Sequence, residues 1–175
     1  MMNTERTQWL STVVRVALAG IMLWAGLAKL LEPDQALRAV QAYRIFPSSI
    51  DDIVAIGLPI VEITVGVLLL LGLGTRFAAW VTAGLMVLFI AGVASAWIRG
   101  LSIDCGCFGG GGDVPSAGRV GRYLTEIGRD LVFMALAVWL IRFPSSRLSL
   151  DRLTDDIAVE IGEDVTNPDE TDESS

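Results

Sequence analysis

The chain has 175 residues, of which 53% are hydrophobic and 19% charged, with a formal net charge of −7 and no histidine. Averages of this kind fit a soluble domain as well as a membrane protein, so the distribution of the residues has to decide. The missing histidine excludes imidazole chemistry, and neither a basic cluster nor an aromatic platform points to nucleic acid.

The first apolar segment runs from Trp9 to Leu31, with Arg15 and Lys29 near its ends, where long basic side chains are expected to snorkel to the interfaces. A signal peptide is the competing account of it. The weakly charged start, and Lys29 where a small-residue cleavage site belongs, favour an uncleaved span. The next segment, Glu32 to Arg44, reads as a short interfacial helix with Pro33 at its first position. Gln35, Arg38, Gln41 and Arg44 line one face, and Ala36, Leu37, Val40 and Tyr43 another. It is either a lid or docking surface beside the cysteine loop described below, or an ordinary connection lying on lipid.

Ile53 to Leu73 has 21 residues and one charge, Glu62, and Phe77 to Ile98 has 22 residues and none. A span of the hydrocarbon core needs about 20 apolar residues, and both qualify. A fourth span is expected over Tyr123 to Ile141. Its first half carries Glu126, Arg129 and Asp130, which must face neighbouring helices or headgroups. Small residues at helical spacing, Ala79 with Ala83, Ala91 with Ser95 and Gly92 with Ala96, would permit close helix contact, although Ala/Gly-rich spans hold such pairs by chance. Residues 151–175 carry ten acids against Arg152 and should form a disordered, solubilising tail, leaving residues 1–150 at +2. The expected fold is therefore all-α: an antiparallel four-helix membrane bundle over residues 1–150, with an interfacial helix and an acidic tail.

Four spans put both termini on one side and the connection between the third and fourth on the other. Basic residues do not choose the orientation, with six on the terminal side and seven on the other. Both cysteines of the chain, Cys105 and Cys107, lie in that connection, within Asp104-Cys-Gly-Cys-Phe-Gly109. An oxidising compartment would let such a pair form a disulfide, which favours an extracytoplasmic loop and cytoplasmic termini.

A disulfide between residues i and i+2 closes a tight ring, since the two α carbons must come within about 7 Å. Gly106 supplies backbone freedom for it, and a strained disulfide is the more easily reduced. Phe108 and Gly109 to Gly112 should leave the pair on a mobile, accessible loop. Asp104 opposes thiolate formation, whereas Arg99, Arg119, Arg122 or Arg129 would favour it if folded over the loop. The bland alternative is an inert pair, or a bond that merely holds a turn. No metal is expected, because two thiolates would need Asp104, Asp113 or a second subunit to complete a closed zinc site. Glu62, an acid inside an apolar helix, requires a partner among Arg15, Lys29 and Arg129, and serves either as a proton site or as a polar lock. Glu126 and Arg129, three residues apart, are expected to pair on one helix face.

The run Asp104 to Gly109 resembles the redox-associated branch of the DoxX-like membrane proteins, the MauE family. Arg15 with the following Ala-Gly, Trp24-Ala-Gly-Leu-Ala-Lys29, Pro59-Ile-Val-Glu62-Ile-Thr-Val-Gly66 and Gly128-Arg129-Asp130 extend the resemblance over roughly residues 10 to 142. It implies a four-helix membrane protein serving disulfide formation or maturation of exported proteins, with methylamine metabolism as the family's eponymous setting. On that reading Cys105 and Cys107 cycle between dithiol and disulfide, supported by Asp104, Gly106, Phe108, Glu62 and Arg129. The partner would be an exported thioredoxin-fold protein, and a quinone or another redox chain would exchange the electrons, directly or through a separate protein, because the chain has no second cysteine pair. The rival readings are a membrane scaffold, which would survive loss of both thiols, and a small transporter centred on Glu62.

Overall fold

The computed structural model describes residues 4–45 and 47–144, so the acidic stretch from 151 onward lies outside the described residues. Among the described residues five helices follow one another: α1 (Thr4–Leu31), α2 (Pro33–Ala42), α3 (Ser48–Leu71), α4 (Thr75–Ile98) and α5 (Arg119–Arg142). Two short strands, β1 (Ile103–Asp104) and β2 (Gly112–Asp113), pair antiparallel between α4 and α5.

Three helices, α1 from Glu5, α3 and α4, are long and apolar enough to cross a membrane. α5 has the same length as α3 and α4, but its charged first half keeps it below that standard of apolarity. The radial pattern inverts that of a soluble protein. Trp24, Ile53, Ile56, Phe77, Trp80, Leu88 and Val132 face outward, while Arg15, Lys29, Asp51, Glu62, Glu126 and Asp130 are buried. An apolar exterior around a partly ionic interior is stable when the surrounding solvent is hydrocarbon.

α1 packs along α3, and α4 along α5. The first contact is close because Gly26 and Gly66 carry no side chain: a β carbon at Gly26 would stand 2.6 Å from Ile63 Cγ1, and one at Gly66 2.8 Å from Leu23 Cγ. Without hydrophobic drive in lipid, such backbone proximity supplies the van der Waals attraction that holds spans together. Of the small pairs expected from spacing, Ala79 and Ala83 join the core, whereas Ala91 is exposed and Gly92 receives the ring of Tyr43.

Neither Arg15 nor Lys29 of α1 snorkels. Arg15 is 1% exposed and donates from Nη1 to the carbonyls of Leu69 and Leu70, at 2.6 and 3.0 Å. A cation on the last carbonyls of a helix satisfies acceptors that the helix leaves open and complements its dipole. Lys29, fourteen residues on and so about 21 Å along the helix, turns inward at the opposite end. At the Arg15 end α3 stops at Gly72, whose φ of 69° permits the Leu73 N–H to return to the Leu68 carbonyl, and α4 starts within three residues. This tight hairpin leaves the opposite ends of α3 and α4 to meet α2 and the cysteine segment.

Candidate redox site at the end of the spans

The pairing of Ile103 with Asp113 and Asp104 with Gly112 closes a loop holding Cys105 to Gly111. Tyr123 of α5, fully buried, fixes the base of that loop. Its hydroxyl accepts from the Ile103 N–H at 3.1 Å and donates to the Leu101 carbonyl at 2.9 Å. The loop is docked rather than free. A β carbon at Gly106 or Gly111, both at positive φ, would meet Ala39 Cβ at 2.6 or 2.5 Å, and the Gly110 N–H donates to Gln35 Oε1 at 2.9 Å. α2 is thus the docking surface for the cysteine loop, and the glycines allow close packing as well as a turn.

The two sulfurs stand 2.7 Å apart, and the Cys107 N–H points to Cys105 Sγ at 3.3 Å. Asp104 accepts the Gly106 N–H at 3.0 Å, which tightens the turn carrying both thiols. Cys105 is half-buried and Cys107 buried. The contact with Cys107 lowers the Cys105 thiol below the ordinary cysteine range, and the Arg129 guanidinium, with Nη2 3.6 Å from its sulfur, acts in the same direction. Cys107 is pushed well above that range by the same thiol contact and by burial. The pair is therefore unequal: the more accessible sulfur is the better thiolate, as an attacking thiol requires.

Charged groups from α1, α3 and α5 surround the pair. Lys29 Nζ lies 3.0 Å from both oxygens of Glu62 and donates to the Cys107 carbonyl at 2.8 Å. Of the three candidate partners for Glu62, the structure selects Lys29. Arg129 pairs with neighbouring Asp130 through Nε and Nη2, both 3.0 Å from Oδ1, and its guanidinium lies 4.8 Å from the centre of the Phe108 ring. The expected pairing of Arg129 with Glu126 is not formed. Glu126 instead turns to the loop, where its Oε1 faces the Cys105 N–H at 3.5 Å, while its Oε2 is buried without a hydrogen-bond partner among the described residues. An adjacent residue can reach the guanidinium with two nitrogens, which frees Glu126 for the cysteines.

Asp104, Cys105 and Glu126 hold one donor atom each within 4.8 Å of one another. That is one ligand fewer than a closed zinc site uses, and Arg129 already brings positive charge to the sulfur. The sequence offered no signal for the Lys29 bond to Cys107 or for Glu126, since both depend on how separate segments meet. The lid role of α2 was one of two open readings. Arg99 donates to the carbonyls of Tyr43 and Arg44 and Arg119 to that of Gly100, so neither is the cation on the thiols.

Apolar spans enclosing buried charge, with a cysteine pair docked at one end, define a multi-pass membrane protein. The family model described as "Methylamine utilisation protein MauE" matches residues 7–143, and the chain belongs to that family. The methylamine utilization protein MauE of Paracoccus denitrificans is 34% identical over 126 residues, covering 71% of this chain and 64% of that protein. No solved structure matches the chain.

Proposed function

We propose that this protein is a membrane thiol-disulfide exchange protein in which Cys105 and Cys107 cycle between disulfide and dithiol. The unequal environment of the two sulfurs carries the reading. A partner thiolate attacks the Cys105–Cys107 disulfide at Cys105, forming a mixed disulfide and releasing Cys107. The partner's second thiolate then attacks its own sulfur in that mixed bond and leaves with a disulfide, while this chain keeps two thiols. Two electrons pass from partner to membrane protein, and the reverse sequence reduces a partner instead. Arg129 stabilises the Cys105 thiolate as leaving group, Glu126 exchanges its proton, and Lys29 and Glu62 hold the Cys107 segment in place.

In this reading α5 crosses the bilayer as a fourth span and completes an antiparallel bundle, because its buried acids face the cysteine loop rather than lipid. The loop lies outside the cytoplasm and the termini inside. The partner is an exported protein of thioredoxin fold. The family name makes methylamine utilisation one setting for this chemistry.

The test is capture of the mixed disulfide. With Cys107→Ser, the Cys105 thiolate can still attack an oxidised partner's disulfide, the reverse of the sequence above, but no second thiol in the chain can resolve the mixed bond, and a covalent adduct sensitive to reductant should accumulate in native membranes. Cys105→Ser should trap far less. Equal absence of adducts from both variants, with the function of the exported target intact in the double serine variant, would favour a membrane scaffold.

A further inference from the structure

A cavity of about 360 Å³ lies directly beneath the cysteine loop. Its roof is Cys105, Gly106 and Cys107 with Ala39 of α2 and Tyr43, the residue that caps α2, and its walls are Val54, Ala55 and Leu58 of α3 and Leu88 and Phe89 of α4. We infer that this cavity binds the ring of a lipid-soluble quinone, which accepts electrons from the Cys105–Cys107 dithiol. The inference rests on the exchange reading above and supplies its missing half, the group that resets the pair.

Three observations favour such an occupant. The cavity falls within the roughly 300–1,000 Å³ typical of sites for small organic ligands. Ile45 and Leu88 line it and are also exposed, at 49% and 60%, so it opens at the apolar exterior, where Leu88 sits on the membrane-length helix α4. Its lining is almost wholly apolar, and its one charged member, Lys29, is engaged by Glu62, the Ala25 carbonyl and the Cys107 carbonyl. A peptide strand buried there would leave amide groups without partners, at a cost of several kcal/mol each. A planar ring with two carbonyls and an apolar tail asks for much less. The chain has two cysteines in all, so no second pair within it can relay the electrons.

The step balances as dithiol plus quinone giving disulfide plus hydroquinone. The sulfur–sulfur bond forms as both S–H bonds break, and two electrons and two protons pass to the quinone oxygens. A scaffold has no use for an oxidisable pair forming the roof of a cavity open to lipid.

The experiment uses the full chain in lipid nanodiscs, reduced and freed of reductant under anaerobic conditions, then mixed with decylubiquinone or, separately, with the soluble thiol oxidant diamide. Free thiols and quinone absorbance are followed together. The inference predicts loss of two thiols per quinone reduced in the wild type, and a rate at least tenfold lower in Ala55→Phe, which fills the cavity, with the diamide rate unchanged. Leu88→Trp, altered on the lipid-facing wall, gives a second obstruction should Ala55→Phe fail to fold. Oxidation by diamide but not by quinone would overturn the quinone site and leave the exchange reading standing. Equal quinone rates in wild type and both variants would move the reaction out of this cavity, as would a cavity permanently filled by lipid. A pair oxidised by neither reagent would overturn the exchange reading itself.

Discussion

Lys29 and Cys107, 78 positions apart, are joined by a 2.8 Å hydrogen bond from the ammonium to the backbone carbonyl, while the same ammonium pairs with Glu62. One buried cation on α1 therefore ties the cysteine loop to α3. The Gly26 and Gly66 contacts bring α1 and α3 close enough for that to happen.

Removing half of a buried ion pair strands the other half, at a cost of about 3–5 kcal/mol. Lys29→Met should lower the thermal stability of the purified protein markedly, and Glu62→Gln less so because a neutral amide can still accept from the ammonium. Lys29→Met combined with Glu62→Leu should recover most of the stability while the loop stays detached, read as faster alkylation of Cys107 in the reduced protein. Full stability in the single variant would contradict a locking role.

Arg129 bears on the chemistry of the pair rather than on its placement. Its positive charge favours the Cys105 thiolate, so Arg129→Gln removes a stabiliser of the charged form and shifts the titration of Cys105 upward. Alkylation of Cys105 at neutral pH should slow several-fold in the reduced protein, with the pH–rate curve displaced to higher pH, and Arg129→Lys should restore part of the effect. A superimposable pH profile in Arg129→Gln would show that the guanidinium serves Asp130 alone.

Gly111 lies at a φ of 105°, where a side chain is strained by about 1–3 kcal/mol, and its α carbon faces Ala39 with no room for a methyl group. Gly111→Ala should lift the loop from α2 and expose Cys107, measured as a faster second alkylation step. Gly100→Ala provides the control, because Gly100 shares a positive φ but has open space around it.

The spans could be read from the sequence because length and apolarity are properties of single segments. The ranges Trp9–Leu31 and Phe77–Ile98 fall within α1 and α4, and Ile53–Leu73 overruns the end of α3 by two residues, the Gly72–Leu73 turn; the other helix ends are extended chiefly by polar residues that hydropathy does not count. The cysteine pair, Gly106 and Arg129 were visible as residue types at suggestive spacing. The direction of the side chains was not. Arg15 and Lys29 look alike as basic residues near the ends of an apolar run, and snorkelling is the cheaper outcome for each taken alone. Packing reversed it, because the Leu69 and Leu70 carbonyls lie beside one and Glu62 beside the other. Likewise Glu126 and Arg129 suit a pair on an isolated helix, and only the arrival of the cysteine loop gives Glu126 another place to turn. The glycine run after Phe108 suggested mobility, yet its lack of side chains is what lets the loop press against Ala39.

The most direct test of the central claim is the redox state of Cys105 and Cys107 in native membranes, read by alkylation before and after reduction. A cycling pair is predicted: a disulfide fraction that falls when electron acceptors are withdrawn and returns when they are supplied. Two thiols that remain fully reduced under every condition would contradict thiol-disulfide exchange by this protein.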